Sequence, residues 1–261
     1  MPRATSRQNP RLKEAARLIA SSRDRRRARR CVLEGEHLIG VYLDRCGAPE
    51  FLLVVEAMLD DARIAALVAR VAPARVVAIP GSVFAEVSTL PEAIGALAVV
   101  PTPAPMIPAF AEFHLLLDDV QDPGNVGTIL RTAAAAGVEQ VLLSKQCAFA
   151  WSPKVLRAAQ GAHFLTAIVE NVELPAWAAH FRAQRGQLAA TVARDGVDLY
   201  AAPMTLPLAI AIGNEGAGIS EALLAHADYR LTIPMHSGTE SLNASAAAAV
   251  VLFEAVRRRT R

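Results

Sequence analysis

Short apolar runs alternate along the chain with stretches in which apolar positions return every three or four residues. In the N-terminal part, Cys31–Leu33, Phe51–Val55, Arg75–Ile79 and Ala96–Val100 predict short buried strands. Leu12, Ala15, Ala16 and Ile19 lie at helical spacing after Asn9-Pro10, a capping side chain followed by proline at the first helical position. Residues 62–71 predict another helix, and Arg23 to Arg30 form a basic run. Alternating strands and helices imply a small α/β sandwich.

The pattern breaks between Pro101 and Pro108, where four prolines fall within eight residues. Proline lacks an amide donor and fixes φ, so neither a helix nor a central strand continues there. The segment 101–112 reads as a semi-rigid linker between a domain at 1–105 and a domain at 113–261, each long enough to bury its own core. Beyond the linker, Phe113–Leu117, Val141–Leu143, Phe164–Val169, Leu188–Val192, Leu208–Ile212 and Tyr229–Ile233 predict strands. Helices are expected at 125–136, closed by Gly137, and at 153–160, 173–184, 219–226 and 242–258. Apolar strands separated by helices indicate a mainly parallel sheet covered on both faces.

The formal net charge is +2 over 261 residues, which argues against a strongly basic nucleic-acid binder only until it is divided along the chain. Residues 1–30 carry 11 basic and 2 acidic side chains, +9; residues 257–261 carry four arginines, +4; the middle carries 12 and 23, −11. Arginine outnumbers lysine 24 to 3. That ratio suits bidentate phosphate contacts, and GC-rich coding would produce it equally well. Cys31, Cys46 and Cys147 show no metal spacing and are expected as free thiols. The basic start has no apolar segment after it and so does not read as a secretory signal. No apolar run approaches the roughly 18 residues of a membrane span. A cytoplasmic protein is the simplest expectation.

Ligands of open α/β sheets bind at the carboxyl ends of strands, and three segments lie there. The first runs from Asp118 to Thr132 and contains the turn Asp122-Pro123-Gly124, then Asn125, Gly127 and Arg131. On residue type alone, Asn125 reads first as a helix cap and Arg131 as a solvated or interface arginine. The second, Ile210 to Ile219, contains Gly213-Asn214-Glu215-Gly216 and Gly218. It is neither a Walker loop nor a dinucleotide fingerprint, but its glycines let backbone approach a flat ligand. Glu215 disfavours a phosphate-rich ligand and suits a cation or a sugar hydroxyl. The third runs from Ile233 through Met235, His236, Ser241, Leu242 and Asn243 to Ser245, and by itself resembles ordinary cap chemistry. No G-x-S-x-G elbow and no zinc-spaced Cys/His cluster occurs.

Taken in this order, the three segments resemble the SpoU (TrmH-like) family of RNA ribose 2′-O-methyltransferases of the SPOUT superfamily. The resemblance spans residues 113–258. Ser6, Asn9, the basic run and Val32-Leu33-Glu34-Gly35 also resemble the family's substrate-binding extension. It implies an α/β fold: a C-terminal SPOUT domain with a deep trefoil knot, preceded by a small α/β ribosomal-protein-like RNA-binding domain. It implies S-adenosyl-L-methionine as cofactor, held by Gly213, Ile233 and Leu242 largely through backbone, with Asn214, Gly216, Met235 and Ser241 from the same loops. It further implies a homodimer in which helix 242–258 takes part, and an rRNA or tRNA substrate.

A ribose 2′-hydroxyl is a poor nucleophile and needs a proton acceptor or a stabilised alkoxide. The family gives the central role to the arginine matching Arg131. An arginine stays protonated, so Arg131 is expected to clamp phosphate and stabilise the alkoxide, with Asn125, Glu215 and Asn243 orienting it and the ribose. Arg7, Arg11, Arg23, Arg25, Arg26 and Arg27 are expected to contact RNA phosphates. Competing readings are a non-catalytic RNA-binding protein of the same fold and a SPOUT enzyme that methylates a base. If the basic start docks RNA, deleting residues 1–30 weakens RNA binding and flattens its dependence on salt; an unchanged salt slope would refute this.

Overall fold

The structure is a computed structural model describing residues 8–89, 95–105, 111–236 and 240–259. Arg7 and Ser6 lie outside the described residues. Contacts divide the chain into two compact units, the first ending at Ala104 but joined by Trp151–Phe164, the second formed by the rest.

The first unit begins with α1 (Pro10–Ala20), capped by Asn9, whose side chain accepts from the Arg11 N–H at 2.9 Å. Ser21 caps α2 (Ser22–Ala28) through the Asp24 N–H. The chain continues through β1 (Arg30–Glu34), α3 (Glu36–Arg45), β2 (Phe51–Val55), α4 (Ala62–Ala69), β3 (Val76–Ile79), α5 (Gly81–Ala85) and β4 (Ala96–Pro101). The sheet order is β1-β4-β2-β3; β4 runs antiparallel to β1 and β2, and β2 parallel to β3. Phe51, Leu53 and Val55 gather with Leu12, Ala15 and Leu18 of α1 in one core cluster. Leu52 and Val54, on the opposite face, are equally buried, which explains why the run shows no polar alternation.

Neither α2 nor α3 is expected from the sequence pattern. α2 has no apolar stripe, because its inward position is Arg25. That arginine is only 5% exposed, and its Nη1 donates to the carbonyls of Leu18 and Ile19 at the end of α1. Burial lowers its pKa. The expectation of Arg25 as a phosphate contact is therefore corrected: it satisfies carbonyls that the helix leaves open. The truncation expectation changes too. Leu12, Ala15 and Leu18 are core residues, and removing two buried leucines forfeits roughly 1.5–3 kcal/mol each. Deleting residues 1–30 would disrupt the first unit rather than selectively remove an RNA contact.

The second unit contains β5 (Phe113–Asp118), α6 (Pro123–Ala135) and β6 (Gln140–Leu143). The chain then contributes α7 (Pro153–Ala159) to the first unit, where α7 packs on β1 and Phe164 meets Tyr42 edge-on at 5.3 Å. This differs from a division at the proline segment alone, and the apolar side chains Val155, Leu156 and Ala159 give the reason: they are buried. The second unit resumes with β7 (Ala167–Val169), α8 (Leu174–Ala183), β8 (Gln187–Thr191), β9 (Val197–Asp198), β10 (Leu208–Gly213), α9 (Glu221–Leu224), β11 (Tyr229–Thr232) and α10 (Ala244–Arg259). Its seven strands lie in the order β7-β6-β5-β10-β8-β11-β9 and every pairing is parallel. No helix among the described residues is long and apolar enough to cross a membrane.

The basic C-terminal residues are tied down. Glu254 of α10 is buried and accepts from Arg257 at 2.7 Å twice and from Arg258 at 2.7 Å. Arg258 also donates to the Tyr200 carbonyl, and Arg259 lies over the Phe113 ring at 4.7 Å. The hydrogen bonds of Arg257, outweighing burial and aided by Arg258, hold the Glu254 carboxyl down to about 2. A carboxyl with a lowered native pKa stabilises the fold above its ordinary value, and that contribution fades as pH falls toward the native one. Thermal stability should therefore drop between about pH 4.5 and 2, and Glu254→Gln should flatten this part of the acid limb. Parallel acid limbs for variant and wild type would contradict it.

Candidate active site

All strands of a parallel sheet end at one edge, and the loops after β5, β8, β10 and β11 leave from there. Asp118 and Gly213 are register partners at the ends of adjacent β5 and β10. These strands lie where successive connections diverge to opposite sides of the sheet, the place at which open α/β folds form crevices.

The glycine-rich loop after β10 is shaped by backbone crowding. A Cβ on Gly213 would lie 2.3 Å from the Gly218 carbonyl carbon, so no other residue fits without moving the chain. Asn214 and Gly218 exchange N–H to carbonyl hydrogen bonds at 2.9 Å, and Gly218 turns back at φ +73°. The Asn214 side chain fastens the loop at both ends. Its Oδ1 accepts from the Gly216 and Ala217 N–H groups, and its Nδ2 donates to the Asp119 carbonyl, each at 2.9 Å. Asp118, buried at the end of β5, accepts from the Ser220 N–H at 2.8 Å. Beneath it, Cys147 donates to the Leu117 carbonyl, and burial pushes its thiol pKa up, as befits a supporting group.

The cap of α6 is Asp122, which accepts from the Asn125 N–H at 2.8 Å, with Pro123 in the first turn. Asn125 is thus too far along to cap, and its side chain is free for other work. Its Nδ2 donates to Glu215 Oε1 at 2.6 Å, and its Oδ1 accepts from Asn243 Nδ2 at 3.0 Å. Asn243 Oδ1 accepts from the Ser245 N–H and hydroxyl and the Ala246 N–H at the start of α10. Helix N–H groups only donate, so every amide in this chain has one orientation. The chain of donors ends on Glu215, which must accept.

Beside Glu215 opens a cavity of about 220 Å³ lined by the ends of β8, β10 and β11 and the start of α10. All seven residues expected to hold the cofactor line it: Gly213, Asn214, Gly216, Ile233, Met235, Ser241 and Leu242. Thr191, the last residue of β8, and Val192 and Ala193 just after it also line the cavity and were missed; their signal was their place at the end of a predicted parallel strand. Among the described residues, the lining holds one carboxylate, Glu215, and no lysine or arginine.

Of the four residues expected to act together, Asn125, Glu215 and Asn243 meet; Arg131 does not join them. It is exposed, six residues beyond Asn125, or about 9 Å along the helix at 1.5 Å per residue. Among the described residues it has no hydrogen-bond or ion-pair partner. In the first unit Arg23, Arg26 and Arg27 are exposed, while Arg11 donates to the Ala74 carbonyl and lies over Phe51.

Comparison with known proteins matches residues 112–253 to the SpoU rRNA Methylase family. The chain belongs to the SpoU family. A Bacillus subtilis relative named 23S rRNA (guanosine(2553)-2′-O)-methyltransferase RlmP is 32% identical over 97% of this chain and 98% of its own. The SpoU methyltransferase AviRb of Streptomyces viridochromogenes, solved in complex with the cofactor AdoMet, is 29% identical, with a TM-score of 0.86 over 97% of this chain and 99% of its own. An AdoMet-bound rRNA methyltransferase of Sinorhizobium meliloti is 28% identical, with a TM-score of 0.82 over 98% of this chain and 97% of its own.

The SpoU glycine loop yields a direct expectation. Gly213→Ala should lower the melting temperature and speed amide exchange at Asn214 and Gly218, whose N–H groups bond each other's carbonyls. Unchanged melting and unchanged protection would show that the crowding at Gly213 is not felt.

Proposed function

We propose that the protein is an S-adenosyl-L-methionine-dependent methyltransferase acting on a ribose 2′-hydroxyl of structured RNA, with rRNA favoured over tRNA. The observation that carries this reading is the cavity without basic side chains, bordered by the directed hydrogen-bond chain that ends on Glu215. A nucleotide with several phosphates would need cationic side chains or open helix N–H groups there, whereas the Ser245 and Ala246 N–H groups at the start of α10 already donate to Asn243 Oδ1. Aliphatic walls from Leu231, Ile233 and Leu242, polar groups from Thr191 and Ser241, and one carboxylate suit a flat, phosphate-free cation instead. The close turn at Gly213 presents loop backbone to such a ligand. When bound, the cofactor supplies an electrophilic methyl group on positively charged sulfur.

The chain's own residues then position and activate the hydroxyl. Asn125 and Asn243 hold Glu215 at the cavity margin and keep its carboxylate an acceptor. Arg131 stays cationic; it clamps an RNA phosphate and stabilises the developing alkoxide. Its exposure fits a group that meets substrate arriving from solvent. Likeness over nearly the whole chain to an enzyme named for 23S rRNA favours rRNA. The exposed Phe253 of α10, 49% accessible, favours a homodimer through the C-terminal unit. The interleaved strand order, with β10 between β5 and β8 and β11 beyond β8, fits the deep trefoil knot that the family resemblance implies; an experimental chain trace in which residues 230–259 bypass the preceding loops would refute the knot. A cytoplasmic location follows from the same reading, and fractionation would test it.

Titration calorimetry with S-adenosyl-L-methionine and methyl transfer to ribosomal RNA test the function together. Arg131→Ala should reduce transfer by at least about a thousandfold, roughly 4 kcal/mol, and leave cofactor affinity within about twofold. Wild-type turnover in this variant would sink the role of Arg131. A wild-type protein that binds RNA but takes up no cofactor would favour the non-catalytic alternative.

A further inference from the structure

We propose that Ser144, which does not line the cavity, is a positioning residue for the cofactor loop: its hydroxyl holds Asp119 in a left-handed turn, and the Asp119 carbonyl holds Asn214. This rests on the methyltransferase reading. It adds a residue from the loop after β6, outside all three segments that the sequence singles out.

Three neighbouring strand ends carry the argument. Leu143 of β6 pairs with Leu117 of β5, and Asp118 of β5 with Gly213 of β10. Ser144, Asp119 and Asn214 are the residues that follow these ends. An extended residue directs its N–H and its carbonyl to the same neighbouring strand. Asp119 divides them: its N–H donates to Ser144 Oγ on the β6 side at 2.9 Å, and its carbonyl accepts from Asn214 Nδ2 on the β10 side at 2.9 Å. Its φ of +59° is the departure from extended geometry that separates the two. A residue with a Cβ seldom adopts that conformation without local support. Ser144 supplies the support, and is itself fixed: its N–H donates to the Leu117 carbonyl at 3.0 Å. Cys147 Sγ donates to that same carbonyl at 3.2 Å and lies 3.6 Å from Ser144 Oγ. The thiol proton is thus directed to Leu117, which leaves the Ser144 hydroxyl to donate toward sulfur and to accept from Asp119.

What Asn214 does next makes the relay functional. Its Oδ1 accepts from the Gly216 and Ala217 N–H groups, and Asn214 and Gly216 both line the cavity. The orientation of the Asn214 amide is set at its other end by the Asp119 carbonyl. Without the Ser144 hydroxyl, the Asp119 N–H loses its acceptor and the left-handed turn loses a bond that selects it. The loop is then formed in a smaller fraction of molecules, and apparent cofactor affinity falls by that fraction. Asn243 and the start of α10 stand outside the relay, because their bonds run to Asn125 and to the Ser245 and Ala246 N–H groups.

Titration calorimetry with S-adenosyl-L-methionine and amide exchange followed by NMR test this on the whole chain. S144A should weaken cofactor binding by at least about fivefold, the lower end of what an orphaned donor costs, and S144T, which keeps the hydroxyl, should stay within about twofold of wild type. Without cofactor, exchange at Gly216 and Ala217 should quicken in S144A while exchange at Ser245 and Ala246 stays as in wild type; a loss of overall stability would quicken all four. Glycine adopts positive φ without a Cβ penalty, so in the D119G background the S144A change should cost less than about twofold, a non-additivity that only coupled residues show. Unchanged affinity in S144A, equal quickening at all four amides, or a full fivefold loss in the D119G background would each overturn the proposal. A wild type that takes up no cofactor, with Gly216 and Ala217 still quickened in S144A, would overturn the methyl-transfer reading alone. Cofactor uptake that S144A leaves unchanged would overturn this one alone.

Discussion

The parallel pairing of β5 with β10 is the constraint from which the site follows. Their register sets Asp118 beside Gly213, so two segments distant in sequence leave the sheet side by side. Asn214 can then reach the Asp119 carbonyl, Asp118 can cap the turn at Ser220, and Glu215 can meet Asn125. These contacts span about 90 to 102 positions of sequence. A slip of one residue would turn every side chain of β10 to the other face and separate all of them.

Polarity adds a second ordering principle. The free N–H groups at the start of α10 can only donate, and Asn243 and Asn125 pass that direction on to Glu215. Glu215, in the lining of a cavity that holds no lysine or arginine among the described residues, thereby accepts at one oxygen from an oriented amide. The same economy governs charge elsewhere. Arg25, Arg257 and Arg258 serve carbonyls or a buried carboxylate, while Arg23, Arg27 and Arg131 face solvent. The net charge of +2 is thus a poor guide to partners; what matters is which arginines the fold has already engaged.

Much of the framework was legible because its signals are local. Phe51–Val55 is a strand over those very residues, and the Asn9-Pro10 start caps α1 as its chemistry requires. The helix after β5 begins two residues earlier than its pattern suggests, because Asp122 and not Asn125 takes the cap. α2 escaped notice because an arginine fills its inward position; α7 was expected as a helix, but nothing local tells an apolar helix which unit it will cover.

Local signals in the chain were enough for the alternation of strands and helices, the break at the prolines, and the three segments that would follow strands. These depend on side-chain period, on proline and glycine geometry, and on cap chemistry, all of which act over a few residues. Which of the candidate residues meet was settled by long-range packing. It joined Asn125, Glu215 and Asn243, left Arg131 apart and exposed, buried Arg25, and gathered seven residues of two loops around one cavity. Those outcomes depend on sheet order and on register between distant strands, which no local pattern encodes.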